Sequence, residues 1–242
     1  MKIKQFRYGN EGNLGYLLWS GREAVAVDGV APDEITAFAE AEGLEVKYVT
    51  NTHEHRDHIH GNEDLLTRTD AVNITPDIMC SIKVLKIGSE QLEAFPAPGH
   101  SEESIVFYFN DDNAESQGNG SLLTGDTLFN GTVGNCYTKD YELYFESLQK
   151  VLRFPPETRI YAGHDIFDYT TGVIQRIDPD NPYLNQYKAS YVRELLSTTI
   201  AQELRVNPFI RWDDPSLDTY RASLGMPHST PYERFRAMMS VH

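Results

Sequence analysis

Between positions 52 and 58 the chain reads Thr52-His53-Glu54-His55-Arg56-Asp57-His58, three imidazoles with the Asp57 carboxylate among them, shortly after the largely apolar residues 46–49. Neutral imidazole nitrogens and a carboxylate oxygen are ligands for Zn, Fe or Mn. On a locally extended backbone, successive side chains alternate, so His53, His55 and Asp57 would share one side while His58 points elsewhere. One ion can then be served by the first set while Asp57 and His58 turn toward a second. The chain holds 8 His in all, and a solvated polar loop does not account for gathering three of them here.

Three further positions have the same character. His100 follows Pro96-Ala97-Pro98-Gly99, a stiff turn that presents a side chain to a cleft, and His164 follows Gly163 at the end of another apolar run. Asp126 stands where Leu122-Leu123-Thr124-Gly125 opens into a loop. A buried carboxylate is costly without a partner, and a cation is its natural one.

The elements that must position these residues read as an α+β chain. Residues 2–6, 15–19 and 23–28 have strand character, punctuated by Gly9, Gly12 and Gly21, and open as a meander. Asp28, at a strand end, reads as a turn former rather than a ligand. Residues 33–43 form a helix stopped by Gly43, and the strand 46–50 delivers the His cluster. A short helix follows at 62–67, then alternating apolar positions over 72–88 that suit edge strands, then strands at 92–95 and 105–109. The polar stretch 111–120 reads as a mobile hairpin tip. A helix over 141–152 is ended by Pro155-Pro156, the strand 159–162 precedes His164, and 183–205 reads as one helix between Pro182 and the break at Asn207-Pro208-Phe209. Three strands ending in His100, Asp126 and His164 are most economically explained by convergence at one end of a sandwich.

The 242 residues are 40% hydrophobic, enough for one large domain or a domain with a helical appendage. No run reaches the length of a membrane helix, and Met1-Lys2-Ile3-Lys4 leads into a strand rather than a signal segment, which predicts a cytoplasmic protein. A formal charge of −15 repels polyanions and excludes nucleic acid as a partner. Cys80 and Cys136 make neither a disulfide framework nor a CxxC pair. Nothing in the composition sets an oligomeric state.

Taken in order, Thr-His-x-His-x-Asp-His, Gly-His, Thr-Gly-Asp and Gly-His resemble the metallo-β-lactamase superfamily over residues 2–165. Within it, three stretches resemble glyoxalase II, the hydroxyacylglutathione hydrolases: Thr124-Gly125-Asp126-Thr127-Leu128-Phe129, the run from Pro155 to His164, and Glu203-Leu204-Arg205-Val206-Asn207-Pro208-Phe209-Ile210-Arg211. The resemblance implies an αβ/βα sandwich over residues 1–169 and a small helical C-terminal domain over 170–242. It implies that His53, His55 and His100 hold one divalent ion, that Asp57, His58 and His164 hold a second, and that Asp126 bridges them, the metals being Zn, Fe or Mn. It further implies hydrolysis of a small-molecule acyl thioester by a metal-bridging hydroxide, with Asp57 orienting the attack and a thiolate leaving.

The glutathione-gripping positions depart from that family. Its Lys and Tyr pair corresponds to Asn135 and Tyr137, its Tyr beyond the last metal ligand to Ile166, and its terminal basic residues to Met239 and His242. Tyr137 alone survives as a substrate contact. Lys139, Arg205, Arg211 and Arg236 are the cations that could substitute. The same scaffold also serves persulfide dioxygenases with one iron, and lactonases or other hydrolases of the fold, while a non-catalytic scaffold would not need these ligands.

Overall fold

The computed structural model describes residues 1–9, 12–112 and 120–242. Strands β1 (Lys2–Tyr8), β2 (Asn13–Ser20) and β3 (Glu23–Val27) form an antiparallel meander, and helix α1 (Pro32–Glu42) crosses to β4 (Glu45–Thr50). After α2 (Arg56–Ile59) and α3 (Asn62–Arg68) comes β5 (Val72–Ile74), and β3, β4 and β5 run parallel. The second half comprises α4 (Pro76–Ile82), β6 (Val84–Ile87), β7 (Glu90–Pro96), β8 (Ile105–Phe109), β9 (Ser121–Gly125) and the small hairpin β10 (Leu128–Phe129) and β11 (Thr132–Val133). It continues with α5 (Tyr141–Val151), β12 (Arg159–Ala162), α6 (Phe167–Ile177), α7 (Leu184–Ala189), β13 (Thr198–Thr199), α8 (Ile200–Val206), α9 (Asp218–Ser223) and α10 (Pro231–Met238). The sheets run β1-β2-β3-β4-β5 and β13-β12-β9-β8-β7-β6.

Period-two alternation sorts the strand residues into layers. Leu14, Tyr16, Leu18, Val25 and Val27 of the first sheet meet Ile105, Phe107, Phe109, Leu123 and Tyr161 of the second in the central core. The intervening positions Leu17, Ala24 and Ala26 face outward onto Ile35 and Ala39 of α1 and Leu65 of α3. On the far side, Val106, Leu122 and Ile160 pack against α5 and the C-terminal segment through Leu148, Phe209, Phe235 and Met238. The result is an αβ/βα sandwich.

Gly43 ends α1 as expected. Its φ of 65° is the left-handed cap that glycine tolerates, and Leu44 N–H donates to Ala39 O at 2.8 Å. Two expectations need correction. Residues 72–88 are not strand throughout, because Thr75 accepts from Ile78 N–H and Pro76 occupies the first turn, start signals that nucleate α4 between β5 and β6. Nor is 183–205 one helix: it divides into α7, a 3-10 turn at Arg193–Leu195, β13 and α8. Thr198 and Thr199 pair with Ile160 and Arg159 at the sheet edge, and Thr199 with Gln202 forms the capping box that restarts the helix. The hairpin tip expected at 111–120 falls largely on 113–119, outside the described residues.

Glu203 of α8 is fully buried and fastens the C-terminal segment to the wall of the β10–β11 hairpin. Its carboxylate accepts from Gly131 N–H (2.9 Å), Tyr187 Oη–H (2.7 Å), Thr198 Oγ1–H (2.7 Å) and Asn207 Nδ2–H (3.0 Å), and Asn207 also donates to Thr132 O at 3.0 Å. Burial lifts the Glu203 carboxyl above its usual range, and these four donors pull against that rise. Glu203→Ala strands several buried donors at once, so urea unfolding should show a loss of about 3 kcal/mol. A loss near zero would mean that water takes over the carboxylate's role.

Candidate metal centre

Strand direction brings the chemistry together. Because β9 and β12 are parallel, with Ala162 beside Gly125, Asp126 and His164 emerge at the same sheet end. Leu14 N–H donates to Gly163 O at 2.8 Å, which ties that end to β2 across the sandwich. Gly163 is required there, since a Cβ would stand 2.2 Å from Asp126 Oδ1 and 2.7 Å from His58 Cε1. The turn after β4 supplies His53, while His55 precedes α2. The expected alternation stops there, because Arg56–Ile59 is a helical turn and not extended chain. That turn carries Asp57 and His58 away from His53 and His55 and toward His164.

Two groups of donor atoms result. His55 Nδ1 lies 3.1 Å from His53 Nε2 and 2.9 Å from His100 Nε2. His164 Nε2 lies 3.2 Å from both His58 Nε2 and Asp57 Oδ2. Between the groups, Asp126 Oδ2 stands 3.5 Å from His100 Nε2 and from His164 Nε2 and 3.9 Å from His53 Nε2, while Oδ1 stands 3.4 Å from His58 Nε2. Zinc–nitrogen bonds in tetrahedral geometry imply ligand atoms about 3.3 Å apart, the separation seen here. His53/His55/His100, His53/His58/Asp126 and Asp57/His58/His164 each have donor atoms within 4.8 Å of one another.

Neighbouring groups choose the tautomers. Asp28 Oδ1 accepts from Thr52 N–H at 2.8 Å and Oδ2 from Thr52 Oγ1–H at 2.7 Å, with His58 Nδ1 3.2 Å away. Thr52 Oγ1, having donated its proton to Asp28, can accept from His53 Nδ1–H at 3.1 Å. His100 Nδ1–H donates to Asn135 O at 2.9 Å. Each bond holds one ring nitrogen and leaves the other, Nε2, as a free donor toward the centre. Asn13 Nδ2–H donates to the Asp57 backbone oxygen at 3.0 Å and to its Oδ2 at 3.2 Å, which fixes the carboxylate. Asp28 does sit at a turn, at φ 49°, yet it is also the buried anchor of the whole loop.

The electrostatics call for a cation. Burial would raise the Asp126 carboxyl, but the neighbouring His164 and His58 imidazoles hold it well below the usual range. Burial alone would lower His164 and His58. The bonds to Asp126 and Asp57 lift His164 to about 9, and Asp28 and Asp126 lift His58 well above its ordinary value. His53, where burial dominates, is pushed down to about 3. Asp126 Oδ1 is buried and has no hydrogen-bond partner. An orphaned carboxylate oxygen among imidazoles, three of them engaged through the other ring nitrogen, is a donor set that fits divalent ions.

Residues 9–78 match the family model described as the metallo-beta-lactamase superfamily, and residues 173–240 match that of the hydroxyacylglutathione hydrolase C-terminus. A hydroxyacylglutathione hydrolase of Maricaulis maris is 31% identical, over 92% of this chain and 91% of the relative, and its Brucella ovis counterpart is 30% identical, over 93% and 91%. This chain belongs to the hydroxyacylglutathione hydrolase family. Among solved structures, ETHE1 from Myxococcus xanthus superposes with a TM-score of 0.68 at 21% identity, covering 99% of this chain and 90% of that one. A metallo-beta-lactamase from Staphylococcus aureus gives 0.66 at 18%, covering 100% and 71%. These likenesses show the fold.

As a member of the hydroxyacylglutathione hydrolase family the protein is a metal-dependent hydrolase whose cofactors are divalent ions, and among the described residues no helix is long and apolar enough to cross a membrane. All seven residues singled out from the sequence meet at one site: His53, His55, Asp57, His58, His100, Asp126 and His164. His55, Asp57, His100, Asp126 and His164 line a cavity of about 460 Å³, with His53 and His58 buried behind them. Tyr137 lines it, with its ring 5.4 Å from His55 and 5.2 Å from His100. Ile166 and His242 line it as well, whereas Met239 is buried in the core. Asn13 and Tyr169 carried no expectation from the sequence, and Asp28 was expected only as a turn former. For Asp28 and Asn13 the available signal was a polar residue at the end of a strand, which serves a turn equally well.

Two outcomes follow. In the metal-free hydrolase the carboxylates of Asp28, Asp57 and Asp126 favour protons on the His58 and His164 pair, which a divalent ion must displace. Calorimetric titration with zinc should therefore release protons, seen as a heat that varies with the buffer's ionisation enthalpy, and affinity should fall as pH falls. A buffer-independent heat would contradict this charge assignment. Asp28→Ala should weaken metal retention by roughly 10- to 100-fold in competition with a chelator, because His58 and Thr52 lose their common acceptor.

Proposed function

We propose that this hydrolase holds two divalent ions, one at His53, His55 and His100 and one at Asp57, His58 and His164, with Asp126 shared, and that it cleaves acyl thioesters. The observation that carries this reading is Asp126, whose Oδ2 stands between the two groups, 3.5 Å from both His100 Nε2 and His164 Nε2, while its Oδ1 faces His58 Nε2 at 3.4 Å. A mixed imidazole and carboxylate set accepts Zn, Fe and Mn alike. The thioester comes from the relatives, which are named hydroxyacylglutathione hydrolases along nearly their whole length.

Bound there, the ions supply an acidified water and an electrophile for the carbonyl oxygen. The chain supplies position and charge. Asp57, held ionised by its bond to His164 and 44% exposed at the side chain, faces the cavity and accepts a hydrogen bond from the attacking water, aiming its lone pair. As the water oxygen bonds the acyl carbon, the C–S bond breaks and its electron pair leaves on sulfur. The two water protons end on the acid and thiol products. A thiol's pKa near 8.5 lets it depart as thiolate without a strong general acid. Tyr137 borders the path of the substrate. In this reading residues 1–169 carry the metal ligands, and 170–242 form a helical part that contributes His242 to the cavity wall. The free thiols of Cys80 and Cys136 suit a cytoplasmic location.

Elemental analysis should find two ions per chain, and chelation should abolish thioester hydrolysis that metal restores. Asp57→Asn should lower kcat by about 100-fold or more, since a neutral amide accepts the water's proton poorly. A single iron per chain with oxygen uptake on a persulfide would instead identify an oxidation.

A further inference from the structure

The cavity continues past the metal ligands into a half whose walls determine what thiol can enter. Among the described residues, no Lys or Arg lines it, and Asn10, Glu11 and residues 113–119 include none either. Of the cations that might have served, Lys139 is exposed but does not line the cavity, and the three arginines are engaged elsewhere. Arg211 is 5% exposed at the side chain, between Asp178 (2.6 Å) and Asp214 (2.7 Å). The Arg236 guanidinium lies 3.6 Å over the Tyr141 ring. Arg205 stacks on Tyr183 and faces a separate groove with Gln186 and Gln202.

What the walls do offer is aromatic and amide surface. Tyr137 and Tyr169 are 62% and 65% exposed, large rings turned to solvent at the cavity. Asn135 presents an exposed amide. His242 donates from Nε2 to Val133 O at 2.6 Å and packs edge-on against Phe209 at 4.9 Å. Its other ring nitrogen, Nδ1, lies 3.2 Å from Asn135 Oδ1, so the imidazole is spent on oxygens of the chain itself.

We propose that the thiol portion of the substrate carries no net negative charge and is an amide-bearing thiol seated against the rings of Tyr137 and Tyr169. The proposal rests on the thioester-hydrolase reading and narrows it. Glutathione, the thiol in the relatives' name, brings two carboxylates and one ammonium. In this cavity its carboxylates would lose water without gaining a cationic partner, on a protein of net charge −15. An uncharged amide thiol loses little on entry and gains ring contact.

The test uses one hydroxyacyl group on three thiols with the metal-loaded protein: glutathione, glutathione dimethyl ester and N-acetylcysteamine. The two thioesters without net negative charge should exceed the glutathione thioester in kcat/KM by about ten-fold or more, chiefly through KM, and only the glutathione thioester should improve as salt screens the repulsion. Tyr137→Ala and Tyr169→Ala should raise KM for the N-acetylcysteamine thioester several-fold with little change in kcat, and Asn135→Lys should lower KM for the glutathione thioester. Preference for the glutathione thioester over its dimethyl ester overturns the proposal while leaving the hydrolase intact. Failure to cleave any of the three overturns the hydrolase reading, and this proposal with it.

Discussion

A carboxylate shut away from water among imidazoles is the constraint on which the rest of this molecule depends. Asp126 has a side chain only 10% exposed and one oxygen with no hydrogen-bond partner, and His53, His58, His100 and His164 surround it. An uncompensated buried charge of this kind costs several kcal/mol. The cluster offers two remedies, protons on His58 and His164 or divalent ions between the groups. Competition between them couples metal content to pH, and it places the strongest local charges of an acidic protein where a carbonyl oxygen would be polarised.

The sandwich supplies the rigidity such a cluster needs. Two parallel strands, β9 and β12, release Asp126 and His164 side by side, and the end of β4 releases the His53 loop from the opposing sheet. Asp28 then holds that loop from beneath through Thr52 and His58. A ligand placed on a strand end and braced by a buried hydrogen bond has little freedom to relax toward its neighbours. This explains how imidazole nitrogens remain about 3 Å apart in a fold whose core would otherwise separate them.

The C-terminal segment plays a different part. Its Phe209, Trp212, Phe235 and Met238 complete the outer core over the second sheet, and Glu203 and Asn207 bind the backbone of Gly131 and Thr132. The hairpin so fastened carries Phe129, Thr132 and Val133 of the cavity wall. Metal ligands and cavity wall therefore interleave along the chain, with Phe129 to Tyr137 lying between Asp126 and His164, while the C-terminal segment adds His242 and the fastening. The charge of the wall can change without disturbing the ligands, which is how a family's metal centre can stand beneath a cavity lined without Lys or Arg.

How much of this was legible in the sequence depends on the range of the forces involved. The seven His and Asp ligand candidates could be read directly, because few side chains bind such metals and each stands in or beside a short motif after a strand. Gly43 could be read as a helix stop, since a left-handed cap excludes most other residues. The resemblance to a metallo-β-lactamase sandwich rested on that same order of motifs. Tertiary structure alone decided where the His cluster divides, because a helical turn at Arg56–Ile59 replaced the extended chain that alternation suggested. It decided that Asp28 grips Thr52 24 residues away, when its local signature was merely that of a turn. It also split 183–205, where pairing of Thr198 and Thr199 with the sheet edge overrode helical composition, and it turned Tyr169 toward a cavity that no local pattern marks. Ligand chemistry and caps act within a few residues and leave their mark in the sequence, whereas burial and edge pairing depend on what arrives from far along the chain.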